Sequence, residues 1–168
     1  MIQLIARPLS HKAFVPFGMV IDARDHTPMV INQGHCLRYH DLVPFDVADE
    51  NGRVAISLFR PACTPKPVRL RIMERHPLGS QAFIPIRTNS AAFCWLIVVA
   101  EPGADPTDAG NLQAFVAQSH QGVQYAKGTW HHPLIALEAA QEFLVIDRIG
   151  PGNNLQECPL DQPVQIAS

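Results

Sequence analysis

The sequence lacks long apolar runs and any segment typical of export. Its longest apolar run, residues 91–100, is ten residues long, about half of the roughly 20 that a helix needs to cross a bilayer. The first residues carry Arg7, His11 and Lys12 and contain no continuous apolar segment of the kind found in secretory signals. We therefore expect neither a membrane span nor export.

Cysteine is sparse, and neither sign of charge is in excess. The four cysteines show no C-x-x-C spacing, and the cytoplasm keeps thiols reduced, which predicts a cytoplasmic protein without disulfides. Lys and Arg number 13 and Asp and Glu number 15, so the formal net charge is −2. Because nucleic-acid binding needs clustered positive charge, we expect a small-molecule substrate and no nucleic-acid partner.

Proline and glycine, by contrast, are spread along the whole chain, with 15 and 10 residues respectively. The short runs between them are rich in Val, Ile and Phe, which is typical of many short strands rather than long helices. No internal repeat or linker divides the chain, so we predict one all-β domain over residues 1–168. Ser10 is placed to cap a short helix, and the residues after Pro159 are predicted to form a loosely packed tail.

Residues 68–76 alternate in a way that predicts a strand with polar groups at one end. Alternate residues share a face of a strand, and the more apolar face should point into the barrel. An unpaired carboxylate on that face would be costly to bury, so it indicates a metal, a substrate or a proton. Alternatively, the strand bends near Pro77 and its last side chains reach solvent. The inward face comprises Val68, Leu70, Ile72, Glu74 and His76.

The pattern Glu74-x-His76-x4-Gln81 has the spacing of the first metal motif of cupins, in which two strands joined by a turn aim three ligands at one point. Gly79 lies where this turn is needed. A neutral glutamine is a poor ligand compared with a carboxylate or an imidazole. The spacing therefore nominates Glu74 and His76 more strongly than Gln81.

A second polar cluster, residues 128–133, contains two adjacent histidines. In a strand, His131 and His132 face opposite sides, so only one of them lines a cavity. The step from Gly128 to His131 resembles the end of the second cupin motif, which supplies one further histidine. We therefore expect His131 to line the site and His132 to orient it or to hold a loop.

Two arginines are candidates for holding the carboxylate of an anionic substrate. The planar guanidinium grips a carboxylate through two hydrogen bonds. Arg38 and Tyr39 lie in a dense polar cluster, and Arg60 follows the apolar face of residues 54–58. An ion pair with a surface acid would explain Arg60 equally well.

Four stretches spread over most of the chain carry a resemblance to a known family. They are residues 32–42, 74–85, 122–134 and 143–148. The runs Glu-Arg-His-Pro-Leu-Gly-x-Gln, from Glu74, and Trp-His-His-Pro, from Trp130, are longer and more specific than the cupin spacing. Through these runs the chain resembles the ureidoglycolate lyases of allantoin degradation, a part of purine metabolism.

The resemblance implies a cupin-like barrel, a double-stranded β-helix with a few short helices, assembled as a homodimer. It also implies a carbon–nitrogen lyase that cleaves ureidoglycolate to glyoxylate and urea, with a divalent metal that is nickel in described members. Glu74 or His131 would take the substrate's hydroxyl proton, and Arg38 or Arg60 would hold its carboxylate. The expected roles are catalysis for Glu74, His131 and His132, metal binding for Glu74, His76 and His131, and substrate binding for Arg38, Tyr39, Arg60 and Gln81.

Three alternatives to this function remain open at the level of sequence. An amidohydrolase would release ammonia and carbon dioxide from the same substrate. Another cupin enzyme would be an oxygenase or a sugar isomerase, and a non-catalytic cupin would bind a small ligand without turnover. The barrel alone cannot distinguish them, because one fold hosts many activities.

Overall fold

The computed structural model describes residues 2–24, 26–86, 92–139 and 141–167, and the regular secondary structure of these residues is almost entirely β-strand. The first seven strands are β1 Ile2–Pro8, β2 Gly18–Ile21, β3 Met29–Ile31, β4 Cys36–Arg38, β5 Arg53–Phe59, β6 Arg69–Arg75 and β7 Gln81–Ile86. The other seven are β8 Cys94–Ala100, β9 Gln113–Gln118, β10 Gly122–Tyr125, β11 Trp130–His131, β12 Ile135–Ala136, β13 Glu142–Ile149 and β14 Gln156–Ala167. The predicted all-β class is confirmed.

Helices are few and short in these residues. Helix α1 spans His11–Phe14, and the Ser10 hydroxyl accepts a hydrogen bond from the Ala13 amide, which confirms the predicted cap. None of the described helices is long and apolar enough to cross a membrane. The apolar run 91–100 forms β8 from Cys94 onward, and residue 91 lies outside the described residues. Three 3-10 turns complete the set: Asn32–Gly34, Asp49–Asn51 and Ala109–Asn111.

The larger sheet closes on itself through β11, one of its two shortest strands. Its order is β11-β6-β14-β1-β9-β8-β12, and β11 pairs with β8 as well as with β6. Six strands therefore form a closed ring, with His131 opposite both Glu74 and Val99. The second sheet has the order β2-β10-β7-β13-β5, and β3 and β4 form a separate hairpin.

Two apolar cores follow from this topology. One has members on every strand of the ring, among them Leu70, Ala114 and Trp130, and so fills the ring's interior. The other lies between the ring and the five-stranded sheet and includes Phe115 from the first and Tyr125 from the second. Sheets packed face to face over a core form the barrel that the cupin resemblance implies.

The prediction of a loose tail after Pro159 is wrong. Strand β14 is one of the six strands of the ring and lies between β6 and β1, and its residues Val164 and Ile166 are buried. Residues 160–163, which include Pro163, lie where the pairing with β6 shifts register. The prolines therefore mark an irregularity within a strand and not its end.

The strict alternation predicted for residues 68–76 is also wrong in part. Arg69 and Arg71 are exposed as expected, but Leu70 and Met73, three residues apart, are both fully buried in the ring's core. The alternation slips opposite the register shift of β14. Leu70 therefore points into the ring, whereas Glu74 points the other way, toward the space between the two sheets.

This placement of β14 predicts a large loss of stability from a charge in the ring's core. Val164→Asp should destabilise the fold by several kcal/mol, because an unpaired carboxylate would be buried there. Gln162→Asp, at an exposed position of the same strand, is the matched control. Its free energy of unfolding should lie within ~0.5 kcal/mol of the wild-type value. Urea denaturation followed by circular dichroism measures both, and equal midpoints would show that residues 160–167 form a loose tail.

Candidate active site

Glu74, His76 and His131 converge at one end of the space between the sheets. The β6–β11 pairing places Glu74 directly beside His131, and His76 follows β6 by one residue. One ligand atom from each of the three lies within 4.8 Å of the others. The His131 side chain is only 1% exposed and that of Glu74 is 18% exposed, so the cluster is largely shielded from water.

Backbone hydrogen bonds fix the orientation of both imidazoles. The Nδ1 atom of His76 is 2.7 Å from the carbonyl oxygen of Asn154, and Nδ1 of His131 is 3.1 Å from that of Thr129. A carbonyl oxygen can only accept, so both Nδ1 atoms carry the proton. Both Nε2 atoms are buried without a hydrogen-bond partner, and each presents a lone pair to the cluster.

This donor set fits a divalent metal ion. Two neutral imidazole nitrogens and a carboxylate are ligands that zinc, iron and nickel accept. Metal-binding histidines generally donate their other ring N–H to a carbonyl or carboxylate, which is the arrangement of His76 and His131. The Nε2 of His131 lies 3.4 Å from Oε1 of Glu74, too long for a good hydrogen bond between them.

Burial and neighbouring groups shift the pKa values of Glu74 and His76. Burial alone would raise the pKa of Glu74, but the imidazoles of His131 and His76 outweigh it and the pKa is lowered. Burial, followed by the charge of His131, lowers the pKa of His76. Tyr125 stacks on His131 with ring centroids 4.2 Å apart, and burial raises the pKa of its phenol, which stays protonated.

A second polar pair, Gln81 and Asp147, lies next to this cluster. The side chains are hydrogen-bonded, and the charge of His76 acts on Asp147. Burial raises the pKa of Asp147, and the Gln81 bond and His76 oppose that rise. A carboxylate can only accept, so Gln81 donates through its nitrogen, and its Oε1 remains buried without a partner, as does Oδ1 of Asp147. The bond to Asp147 therefore fixes the orientation of the Gln81 amide and leaves its Oε1 free to accept a hydrogen bond.

Sequence reasoning named Gln81 but missed Asp147. Asp147 belongs to the last of the four stretches that carry the resemblance, yet it follows an apolar run and resembles a residue at the end of a strand. The register of β13 against β7, in which Ile146 opposes Ala82, brings it beside Gln81. The alternation of the strand could have identified it, because Asp147 shares a strand face with Phe143 and Val145, which pack into the core.

The other predicted site residues are exposed or have their partners outside the cluster. Arg38 and Tyr39 are exposed on and beside β4, and Arg38 donates to Nδ1 of His40 at 2.8 Å. Arg60 is exposed and forms an ion pair with Glu142, at the opposite end of β13 from Asp147. His132 is half-buried, its Nδ1 bonds to the carbonyl of Pro133, and it is not one of the three metal donors.

An apolar cavity of about 540 Å³ lies elsewhere, at one end of the ring. Its lining includes Val68, Leu96 and Ile166, and none of the cluster residues contributes to it. It offers no carboxylate or imidazole. Among the described residues, the Glu74 cluster is therefore a better candidate for the active site than this cavity.

Comparison with known proteins places the chain in one family. The family model described as "Ureidoglycolate lyase" matches residues 1–167. Curated relatives of that name are 47% identical in Burkholderia mallei and 44% identical in Pseudomonas fluorescens, over 92% of this chain and 87% and 89% of theirs. "Ureidoglycolate lyase 1" of Rhizobium meliloti is 44% identical over 95% of this chain and 91% of its own.

Among solved structures, vicilin from tomato matches 64% of this chain and 26% of its own, with a TM-score of 0.38 and 18% identity. The family assignment does not depend on it. The family model covers nearly the whole chain, and the curated relatives match it over most of their own length. The chain belongs to the ureidoglycolate lyase family.

Proposed function

We propose that this protein is a ureidoglycolate lyase that releases glyoxylate and urea, as its family membership indicates. The observation that carries the proposal is the cluster of Glu74, His76 and His131, which provides an ionised carboxylate and two oriented imidazoles in a shielded site. We further propose that it works in the cytoplasm, on the ureidoglycolate of purine breakdown.

The reaction requires one proton to move between two atoms on the same carbon. Ureidoglycolate carries a hydroxyl and a urea nitrogen on the carbon next to its carboxylate. Removal of the hydroxyl proton lets the oxygen form a carbonyl while the carbon–nitrogen bond breaks, and the departing nitrogen takes up a proton. Glu74 accepts the first proton and returns it to the nitrogen, so that the reaction needs no net acid, base or water.

Glu74 is available as the proton acceptor because its lowered pKa keeps it ionised at neutral pH. Buried general bases of this kind contribute typically about 10²–10⁴-fold to the rate. His131 and His132 remain predicted catalytic residues, as orienting partners of Glu74. Tyr125, stacked on His131, holds that ring in place.

Gln81 recognises the urea group. A urea presents N–H donors, and the free Oε1 of Gln81 is a buried acceptor without a partner. Asp147 positions this amide by accepting from its nitrogen. A substrate that lacks the N–H groups would leave Oε1 unpaired, which is the usual basis of discrimination by buried polar groups.

A divalent metal would be held by Nε2 of His76, Nε2 of His131 and one carboxylate oxygen of Glu74, and we propose nickel from the family resemblance. Such an ion would supply Lewis acidity at the site, which favours loss of the substrate's hydroxyl proton. The second oxygen of Glu74 remains for the proton.

Loss of the carboxylate should abolish most of the activity. Glu74→Gln should lower kcat by at least about 10²-fold, because the amide cannot accept the hydroxyl proton. Glu157→Gln is the matched control, since Glu157 lies directly opposite Glu74 on β14 but is exposed. Urea, glyoxylate and ammonia are measured together, and ammonia in place of urea would identify an amidohydrolase instead.

Loss of the Gln81 acceptor should weaken the recognition of urea. Gln81→Leu is expected to lower kcat/KM by about tenfold to a hundredfold, because urea N–H groups would be buried unpaired. Gln141→Leu is the control, since Gln141 is equally buried and also has an unpartnered Oε1, but lies outside the site. Equal losses in the two variants would indicate a structural role for Gln81.

Metal content tests the ligand set independently of turnover. Purified wild-type protein should retain about one divalent ion per chain, and His131→Ala should bind that ion at least about tenfold more weakly. His35→Ala, at an exposed position, should retain the wild-type content. Elemental analysis after dialysis identifies the ion, and unchanged content in His131→Ala would remove this residue from the ligand set.

A further inference from the structure

The apolar cavity at one end of the six-stranded ring is large enough to hold a small molecule. Its volume of about 540 Å³ falls within the roughly 300–1,000 Å³ that is typical of small-molecule sites. Its lining comes from β1, β8, β9 and β14 and from the residues just before β6. It is therefore an opening along the axis of the ring, separate from the space between the two sheets that holds Glu74.

The wall of this cavity is a continuation of the ring's core. Strand pairing holds the wall in place, because Leu96 opposes Val116 across β8 and β9, and the Ile166 amide donates to the carbonyl oxygen of Val68 at 3.0 Å. Apolar cavities in proteins bind apolar molecules of matching size, so the wall predicts an apolar body for a ligand. Six lining residues belong to the ring's core or pack against it: Ala6, Val68, Leu96, Val116, Leu137 and Ile166.

The rim of the cavity, by contrast, carries positive charge. Lys66 lines the cavity, and Lys66 and Arg69 together line a shallower groove that adjoins it. Within the described part of the chain, neither side chain forms an ion pair or a side-chain hydrogen bond. No carboxylate lines the cavity or the groove, and the acid nearest in sequence, Glu138, is exposed. The rim therefore favours a ligand with an anionic group.

Backbone contacts anchor the segment that carries Lys66. The Thr64 amide donates to the carbonyl oxygen of Ala136, on β12, at 2.8 Å. Val68, two residues after Lys66, is buried in the ring's core. The backbone at Lys66 is therefore held at the rim, while the side chain is exposed and can reach an anion there.

We propose that this cavity binds a medium-chain carboxylate, a molecule with one anionic head group and an apolar tail. The tail lies in the opening of the ring against Val68, Leu96 and Ile166, and the head group lies at the rim beside Lys66. The site shares no residue with the Glu74 cluster. The inference therefore goes beyond the proposed function and does not depend on it.

The charge of the rim favours a free carboxylate over the acyl chain of a membrane lipid. Stable attachment to an anionic bilayer generally needs a cluster of about four to eight basic residues. The groove beside the cavity offers two, Lys66 and Arg69, and the formal net charge of the chain is −2. One or two cations are enough for a single carboxylate, which accepts charge-assisted hydrogen bonds from them.

The first test is calorimetric titration of the purified protein with hexanoate, octanoate and decanoate, each below its micellar concentration. Every added methylene buries more apolar surface, so Kd should fall about fourfold per methylene until the tail fills the cavity. Equal Kd values for hexanoate and decanoate would show that the apolar wall takes no part. That result, or the absence of decanoate binding, overturns the proposal.

The second test changes the wall and the rim separately. Ala6→Phe should weaken decanoate binding by at least about tenfold, because the added ring occupies the space of several methylenes of the tail. Ala48→Phe is its control, since Ala48 is exposed and does not line the cavity. Lys66→Met should weaken binding by about threefold or more through loss of the charge. Lys12→Met, at another exposed lysine, should leave Kd unchanged.

Circular dichroism establishes that each variant is folded. If Ala6→Phe does not fold, Lys66→Met still tests the site, because position 66 is exposed and the change leaves the wall intact. Decanoate binding that keeps the wild-type Kd in Lys66→Met and in every folded wall variant overturns the proposal.

Two further measurements separate this site from other sources of binding. Glu74→Gln should bind decanoate with the wild-type Kd, because Glu74 does not line the cavity. A Kd that changes in Glu74→Gln but not in Lys66→Met would place the carboxylate at the Glu74 cluster and overturn the proposal. The protein should not float with vesicles of phosphatidylglycerol, and flotation without binding of free decanoate would assign the cavity to a membrane lipid instead.

Discussion

Closure of the six-stranded ring rests on the two-residue strand β11, which pairs with β6 on one side and β8 on the other. The same two residues separate the two cores, since Trp130 points into the ring and His131 toward the five-stranded sheet. Because His131 is held opposite Glu74 by this pairing, sheet hydrogen bonds set the relative position of these two members of the cluster. Sites built on strands in this way are more precise than sites built on loops.

The arrangement leaves several polar atoms of the candidate site unpaired. Nε2 of His76, Nε2 of His131, Oε1 of Gln81 and Oδ1 of Asp147 are all buried without hydrogen-bond partners. Each such atom costs about 1–3 kcal/mol relative to a paired one. A metal ion and a substrate with N–H donors would satisfy them, so the folded protein should be more stable when they are bound.

The sequence predicted the all-β class and nominated Glu74, His76 and His131, because short strands and spaced ligand residues are local patterns. It could not predict the slip between Leu70 and Met73, since this depends on the register of β14, a strand formed more than 80 residues later. The burial of β14 itself was hidden by Pro159 and Pro163, which in most sequences mark a chain that leaves the sheet. Asp147 was missed because its partner Gln81 is brought beside it only by sheet pairing.

The parallel pairing of β1 with β14 also has a consequence for synthesis of the protein. Strand β6, which carries Glu74, has β14 along one edge and β11 along the other. While the chain is still emerging from the ribosome, residues 156–167 are the last of the ring to appear, and until then β6 has one open edge. Unpaired strand edges of this kind promote aggregation. The Glu74 carboxylate therefore reaches its final position only after residues 156–167 have been synthesised, and a chain without those residues would lose this position together with the ring.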